Sequence, residues 1–220
     1  DNGAMLKTTN SGVSWYSQSG GIANLLESVR FVDGQTGWAV GANGVILKTG
    51  NSGQSWYTQN SGTAASLRAV FFTDSQTGWA AGENGAILKT ANGGLNWNLQ
   101  NTPTTQTLSD IFFADGQTGW AAGVNGVILK TLDGGLTWNT QNTGTNTELT
   151  AVIFSGTQTG WAAGANGMIL KTTDGGLSWT PQISGTPAFL NDLFFADLQT
   201  GWAAGDNGVI LKTTDGGATW

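Results

Sequence analysis

The sequence predicts an all-β fold, a single β-propeller of five four-stranded blades, and three observations lead to this prediction. A unit of 41 residues recurs without insertion or deletion. Each unit contains four short apolar segments separated by turn signals, which is the pattern of four strands. Two of these segments are apolar on both faces, as expected for a sheet that is covered on both sides. Four-strand repeats of this length are typical of propeller blades.

Three aromatic series carry the repeat, and each has a period of 41 residues. The first is the Trp of a TGW motif: Trp38, Trp79, Trp120, Trp161 and Trp202. The second is a Trp near the end of each unit: Trp15, Trp56, Trp97, Trp138, Trp179 and Trp220. The third is a Phe: Phe31, Phe72, Phe113, Phe154 and Phe195. The unbroken register indicates recent duplication of one unit, or design.

The third repeat shows the predicted elements in order. Strand A is LSDIFFAD (108–115), and the segment GQT turns into strand B, GWAAG (119–123). Strand B ends at Asn125-Gly126, a strong hairpin signal because both residue types tolerate positive φ. Strand C is VILKT (127–131), and LDGG turns into strand D, LTWNTQ (136–141).

We expect one domain over residues 1–220, with a surplus C–D half-repeat at its start. That half-repeat is residues 1–20, and the full repeats are about 21–61, 62–102, 103–143, 144–184 and 185–220. The opening DNGAMLKTTNSGVSW matches the closing DNGVILKTTDGGATW. Propellers close by pairing strands from the two termini, which removes open edges. We therefore predict that Ser14–Ser19 supplies the outer strand of the last blade, which makes one copy of strand C redundant.

Composition excludes several classes of partner and site. The net charge is −6 with only eight basic residues, which disfavours nucleic acid and anionic membrane surfaces. No apolar run approaches the roughly 18 residues of a membrane span, so membrane insertion is not expected. His and Cys are both absent, which removes thiol chemistry and the preferred ligands of zinc. We predict neither a cofactor nor a metal.

One segment of every repeat resembles the Asp-box, also called the bacterial neuraminidase repeat. It stands here as TLDGGLTW (131–138), TTDGGLSW (172–179) and TTDGGATW (213–220), with Asn at the Asp position in the earlier copies TTNSGVSW, TGNSGQSW and TANGGLNW. Together with the upstream GWAAGxNGxILKT, the unit resembles the repeat of the photosystem II stability/assembly factor family. That resemblance covers essentially all 220 residues.

The family resemblance implies a protein-binding scaffold, since such relatives are associated with assembly of photosystem II reaction-centre proteins. The resemblance to sialidases implies an active site that this chain lacks. Sialidases bind their substrate carboxylate with three arginines and use a tyrosine nucleophile, whereas this chain has only Arg30, Arg68, Tyr16 and Tyr57. Other glycosidases need two carboxylates about 5–10 Å apart, and no recurring pair exists outside the boxes. We predict that the protein is not an enzyme.

The recurring box residue has a structural interpretation. Asp and Asn side chains accept hydrogen bonds from turn amides, so both can fix the C–D hairpin, but Asn cannot act as an acid. We assign this role to Asn10, Asn51, Asn92, Asp133, Asp174 and Asp215. We expect the box Trp to pack over the hairpin and the TGW Trp to lie buried between blades. The Lys of each strand C is interpreted as a solvated charge on a sheet edge.

Two polar series are candidates for ligand binding. Loops D–A and B–C emerge on one face of a propeller, so residues there would form polar rings. The first series is Gln18, Gln59, Gln100, Gln141 and Gln182, where strand D leaves for the next blade. The second series lies in the B–C turns: Asn43, Asn84, Asn125, Asn166 and Asn207. Turn chemistry also explains the Asn series, and ordinary surface explains the Gln series.

Three functions stay open from the sequence. The first is a non-catalytic scaffold for a protein partner, and the second is a lectin whose equivalent sites bind glycans by avidity. The third is a designed or amplified propeller without an evolved ligand. Divergent D–A loops (GTAAS, PTTQT, GTNTE, GTPAF) weaken the lectin hypothesis. We expect a monomer, with strand swapping as the alternative state.

Overall fold

The computed structural model describes residues 3–220. In this part of the chain, 21 short strands form six antiparallel sheets, and the fold is the predicted all-β propeller class. Four of the sheets have four strands, one has three and one has two. The chain divides into two compact units, one extending to Gln100 and the other spanning Asn101–Trp220.

The first unit contains a two-stranded hairpin and two four-stranded sheets. The hairpin is β1 (Ala4–Lys7) and β2 (Tyr16–Ser19). The first four-stranded sheet is β3 (Leu26–Phe31), β4 (Gly37–Gly41), β5 (Ile46–Thr49) and β6 (Tyr57–Gln59). The next is β7 (Leu67–Phe72), β8 (Gly78–Gly82), β9 (Ile87–Thr90) and β10 (Asn98–Leu99).

The second unit contains three sheets in chain order. The first is β11 (Leu108–Phe113), β12 (Gly119–Gly123), β13 (Ile128–Thr131) and β14 (Asn139–Gln141). The second is β15 (Leu149–Ser155), β16 (Thr159–Gly164), β17 (Ile169–Thr172) and β18 (Thr180–Gln182). The third has three strands: β19 (Leu190–Phe195), β20 (Gly201–Gly205) and β21 (Ile210–Thr213).

Each four-stranded sheet is a meander in the predicted order A-B-C-D, but strand D is shorter than predicted. In the third repeat, β14 begins at Asn139 rather than at Leu136. The box turn extends through this stretch, because Asp133 Oδ1 accepts the Thr137 amide at 2.9 Å. A backbone amide held by a turn side chain is not free to join the sheet ladder.

The predicted ring closure through Ser14–Ser19 is wrong in this structure. Strand β2 pairs along its length with β1, and Ser19 lies opposite Ala4. The last sheet therefore has three strands. A partner reached through a short turn closes a much smaller loop than a partner at the far terminus, so the local hairpin carries the lower entropic cost.

Within each unit the core lies between neighbouring sheets, as predicted for the TGW Trp. Trp38, Trp79, Trp120 and Trp161 are fully buried. Trp38 stacks on Phe72 of the following sheet with centroids 3.5 Å apart, and Trp120 stacks on Phe154 at the same distance. The flanking Ala residues of strand B are also buried, so small side chains allow this close approach of sheets.

The interpretation of the strand C lysines as edge charges is wrong. Strand C lies inside each four-stranded sheet, between strands B and D. Lys48 is half-buried, and its ammonium lies 5.1 Å from the Trp38 ring centroid and donates to the Gly93 carbonyl at 2.8 Å. The aliphatic stem of a lysine can cover apolar surface while its ammonium meets a ring or a carbonyl.

No helix in the described residues is long and apolar enough to cross a membrane.

Candidate functional site

The B–C turns repeat one backbone conformation in both units. Each is a tight turn in which both the Asn and the Gly have positive φ: Ala42–Gly44, Glu83–Gly85, Val124–Gly126, Ala165–Gly167 and Asp206–Gly208. The central Asn has a φ between 58° and 60° in every copy, which is the left-handed region that Asn tolerates better than most residues. The Asn-Gly signal therefore has a conformational cause at each turn.

The loop that leads into strand A lies against the B–C turn of the same sheet. The Glu83 amide donates to the Ser66 carbonyl at 2.9 Å, and the Ala165 amide donates to the Glu148 carbonyl at 3.0 Å. On the other side of the turn, Thr143 Oγ1 donates to the Gly126 carbonyl at 2.8 Å. Loops D–A and B–C thus share one face in each unit, as expected, and we call this face the turn surface.

The Asn series lies on the turn surface and is exposed in all five copies. One of them has a side-chain partner on the same surface, because Asn125 Nδ2 donates to Gln106 Oε1 at 3.0 Å. Carboxamide groups at equivalent places can each offer both a donor and an acceptor to a ligand. This arrangement is suited to hydrogen bonding with a peptide backbone or with sugar hydroxyls.

The Gln series is half-buried in all five copies, and its contacts are structural. Gln59 Oε1 accepts the Trp97 indole N–H at 3.3 Å, which ties strand D of one sheet to the box of the next. Gln100 and Gln141 donate to carbonyls two residues earlier in the chain, at 2.8 and 3.0 Å. Gln182 does the same at 3.0 Å, and Gln18 donates to the adjacent Ser17 carbonyl at 3.4 Å.

On the turn surface of the first unit, one arginine is paired with two glutamates. The Arg68 guanidinium bridges Glu27 Oε1 and Glu83 Oε1, each at 2.7 Å. The Arg68 bond lowers the pKa of Glu83 below its usual range. This unit has five acidic and five basic residues, so its net charge is zero.

The turn surface of the second unit is acidic. The unit has nine acidic and three basic residues, and so accounts for the whole net charge of −6. Asp206 lies in a B–C turn and Glu148 in a D–A loop that contacts one, while Asp110 and Asp192 pair with Ala122 and Ala204 near the ends of strands B. Its three lysines instead pair with the TGW Trp residues, at the opposite ends of the same strands.

On this surface, the Asp110 carboxyl group has a shifted pKa. Its carboxylate accepts the Val152 amide at 2.8 Å from the neighbouring sheet and the Ile111 amide at 2.8 Å. Burial raises the pKa of Asp110 to about 6, and the charge of Asp192 adds to this effect. A carboxyl group with such a pKa gains from a nearby cation.

The box residues carry the contacts expected of the structural role assigned to them. Asp174 Oδ1 accepts the Thr172 hydroxyl at 2.8 Å and the Ser178 amide at 3.0 Å. The side-chain and backbone bonds from Ser178 lower the pKa of Asp174 to about 2. The same two contacts, from a Thr hydroxyl and from the amide four residues later, recur in the other five boxes. In each of them Oδ1 accepts both bonds: Asn10, Asn51, Asn92, Asp133 and Asp215.

Sequence reasoning missed a second series of turn-forming aspartates. Asp115 Oδ1 accepts the Gln117 and Thr118 amides, both at 2.7 Å, and so fixes the A–B turn. The same bonds occur at Asp33, Asp74 and Asp197. The signal was present as Asp three residues before the TGW threonine in four of the five repeats, with Gly156 at this place in the fourth. Within residues 3–220, no group of three or more acidic side chains is arranged to hold a metal ion.

The family model of the photosynthesis system II assembly factor YCF48 matches residues 6–101 and 90–190. The two matches together span most of the sequence. The chain belongs to the YCF48 family. No curated protein sequence matches it at a significant level.

Solved structures of YCF48 share this fold. YCF48 bound to D1 peptide has a TM-score of 0.64 and 19% identity, over 90% of this chain and 80% of that chain. YCF48 from Cyanidioschyzon merolae has a TM-score of 0.52 and 18% identity, over 96% of this chain and 89% of that chain. An ancestral GH74 enzyme has a TM-score of 0.77 and 15% identity over 96% of this chain, but this chain spans only 33% of that enzyme.

Proposed function

We propose that this YCF48-family chain is a non-catalytic scaffold that binds a protein partner through its turn surface. The observation that carries the proposal is the family match over residues 6–190. It is supported by the solved YCF48 that is bound to D1 peptide. The exposed Asn series is the set of side chains that this surface offers to a partner's backbone, whereas the Gln side chains are half-buried and bonded within the fold.

The acidic turn surface of the second unit suggests a partner segment that carries Lys or Arg. Asp110 and Glu148 are not paired with a basic residue of their unit, because its three lysines lie at the other strand ends. Complementary charge accelerates encounter and selects the register of binding. A cation placed beside Asp110 would also offset the burial, and the smaller repulsion from Asp192, that raise the pKa of Asp110.

The likeness to a GH74 enzyme concerns the fold and does not supply a catalytic pair here. Asp110 and Asp192 are the two carboxyl groups that interact electrostatically near the strand ends. Both oxygens of Asp110 already accept backbone amides, from Ile111 and Val152. A general acid must present its proton to the substrate oxygen, so a carboxyl group committed to two amides is poorly placed for this role.

The proposal is tested with fluorescently labelled peptides of equal length that differ only in carrying Lys or Glu. We expect the Lys peptide to bind and the Glu peptide not to bind, with affinity falling as salt rises. The double substitution Glu148→Gln and Asp206→Asn removes two charges from the turn surface. It should weaken the Lys peptide by about tenfold, as measured by fluorescence anisotropy.

The matched control removes two charges from the boxes by Asp133→Asn and Asp174→Asn. Three of the six boxes already have Asn, so these changes preserve the turn. We expect the control to bind the Lys peptide like the parent chain. Equal weakening by both double variants would show that net charge, and not the turn surface, attracts the peptide.

The lectin is the second candidate, and the uniform backbone of the five Asn-centred turns favours it. Equivalent weak sites gain affinity through multivalency. A glycan array on the labelled chain, followed by titration, distinguishes the two functions. Saturable binding with about one glycan per repeat would establish the lectin, and a blank array would leave the protein-binding scaffold.

A further inference from the structure

A groove of about 540 Å³ lies between the β1–β2 hairpin and the first four-stranded sheet. Its walls include Met5 and Leu6 of β1 and Leu26, Val29 and Phe31 of β3. Val29 and Phe31 are 59% and 41% exposed, whereas Val70 and Phe72, their counterparts 41 residues later, are 5% and 2% exposed. The β3 face therefore lacks a cover that the equivalent β7 face has.

The cover of the equivalent faces is the TGW Trp of the preceding sheet. Trp38 lies on Phe72, Trp120 on Phe154 and Trp161 on Phe195, with centroids 3.5–3.6 Å apart and ring planes within 12° of parallel. Each indole N–H also donates to a carbonyl of the next box: to Gly93 at 3.3 Å, Gly175 at 3.1 Å and Gly216 at 3.0 Å.

The groove contains the ring and the carbonyl group that a TGW Trp would contact. Phe31 has the place of Phe72, and Ser52 has the place of Gly93. The Gly93 carbonyl accepts both Lys48 Nζ at 2.8 Å and the Trp38 indole. The Ser52 carbonyl accepts Lys7 Nζ at 2.6 Å, which leaves a carbonyl lone pair for an indole N–H.

The missing element is a strand B beside β1. Strand β1 pairs with β2 on one edge, and no third strand of residues 3–220 joins this sheet. In the next sheet, β4 pairs with β5 so that Trp38 lies opposite Lys48. A strand B added to the free edge of β1 in this register would bring its Trp opposite Lys7 and over Phe31. Free strand edges are templates for such addition.

Strand β20 exposes the face that is buried in the other strands B. Trp202 is half-buried and Ala204 is exposed, whereas Trp161 and Ala163 are fully buried. On the adjoining strand, Ile210 is 73% exposed and Ile169 is fully buried. Within the described residues, the Trp202 indole N–H has no hydrogen-bond partner.

We propose that the groove binds strand β20 of a second copy of this chain. Trp202 then stacks on Phe31 and donates to the Ser52 carbonyl, and β20 hydrogen-bonds to β1. Strand β1 takes the position of β21 in that sheet, since Met5-Leu6-Lys7-Thr8 matches Ile210-Leu211-Lys212-Thr213 in type and spacing. In the exchanged sheet, β1 replaces β21 and β2 is added as a fourth strand. The sheet therefore has one strand more than the β19–β21 sheet of a single copy.

The test uses two blocked variants of the full chain, Phe31→Glu and Trp202→Glu. Both sites are solvent-accessible, and far-UV circular dichroism checks that each variant folds. In sedimentation velocity, we expect the parent chain to associate with rising concentration, because each copy carries both a groove and a β20 strand. Each variant alone should be monomeric. An equimolar mixture should form a dimer and nothing larger, since one variant keeps an intact groove and the other an intact β20.

Two further variants test whether the proposed interface is responsible for association. Ala204→Glu keeps Trp202 but charges the same exposed face of β20, and it should weaken association by about tenfold or more. Ile183→Glu changes a residue that is 84% exposed on a D–A loop, and it should associate like the parent chain. Hydrogen exchange separates strand exchange from simple contact, because association should slow exchange in β1 and speed it in β21.

A parent chain that stays monomeric at every concentration, with no dimer in the mixture, would overturn the proposal. Association of Phe31→Glu with itself would also overturn it, since another surface would then be responsible.

Discussion

At the scale of single residues, each box turn is organised by one threonine hydroxyl, and this threonine is buried in every box except the first. Thr172 is 2% exposed, and its Oγ1 accepts the Gly176 amide at 2.9 Å while donating to Asp174 Oδ1 at 2.8 Å. Thr49 makes the equivalent bonds to Gly53 and Asn51, at 2.9 Å each. Because an amide oxygen replaces the carboxylate oxygen without change of geometry, the charge of the box aspartates is not needed for the turn.

The Asp110 carboxyl predicts an unusual dependence of stability on pH. The folded-state pKa of about 6 is above the usual value of 3.8, so protonation favours the folded state. The resulting stability is complete below about pH 4 and is lost as pH rises through about 6. We expect unfolding free energy to fall by about 1–1.5 kcal/mol between pH 5 and pH 8, measured by urea denaturation.

The absence of His makes this interval informative, since few other side chains titrate in it. Asp110→Asn should flatten the slope. Asp115→Asn is the matched control, because Asp115 lies in an exposed A–B turn whose amides lower its pKa. The control should keep the slope, and a slope that survives Asp110→Asn would assign the effect to another group.

At the scale of elements, the glycine that ends strand B allows the turn surface to form. A Cβ on Gly123 would collide with the Thr107 carbonyl, and the same contact recurs between Gly82 and Ser66 and between Gly164 and Glu148. The loop entering strand A therefore lies directly on the end of strand B. This close approach is what gathers the D–A and B–C loops into one surface.

Gly123→Ala should destabilise the chain by about 2–3 kcal/mol, because the carbonyl it meets belongs to the backbone and cannot rotate away. Gly116→Ala is the control in the same repeat, since nothing lies within 4 Å of its added Cβ. Urea midpoints of the two variants give the comparison. Equal midpoints would show that the loop shifts to accommodate a methyl group.

At the scale of the whole molecule, charge is distributed unevenly along a highly repetitive chain. The first unit is neutral and the second carries −6, although their sheets are built from the same repeat. The fold-determining positions repeat, whereas the charges at turns and loops differ from copy to copy. The repeats thus supply the same backbone structure in both units, and a few carboxylates make the turn surfaces of the two units differ in charge.

The prediction of one domain over 1–220 is tested by the cooperativity of unfolding. Trp residues occur in every repeat, so their fluorescence reports on all sheets. We expect fluorescence and far-UV circular dichroism to give one coincident urea transition, as two-state unfolding requires. Repeat chains unfold in stages when contacts between neighbouring repeats are weak. Two separated transitions would show that the units unfold independently.

The sequence alone was enough for the propeller class, the order of strands and the identity of the turns. The reason is that these depend on local chemistry repeated at a fixed period. Strand B of the third repeat begins and ends where GWAAG does, and Asn125 adopts the positive φ that Asn-Gly indicates. The shared face of the D–A and B–C loops also follows from strand order.

Tertiary structure decided what depends on contacts between distant residues. The lysine of strand C lies over a Trp, Gln59 binds the box of the next sheet, and β2 pairs with β1 instead of completing the last sheet. The raised pKa of Asp110 comes from burial and, to a smaller extent, from Asp192, 82 positions away in the sequence. A repeat pattern specifies which side chains recur, but burial and charge at each copy depend on which neighbour covers it.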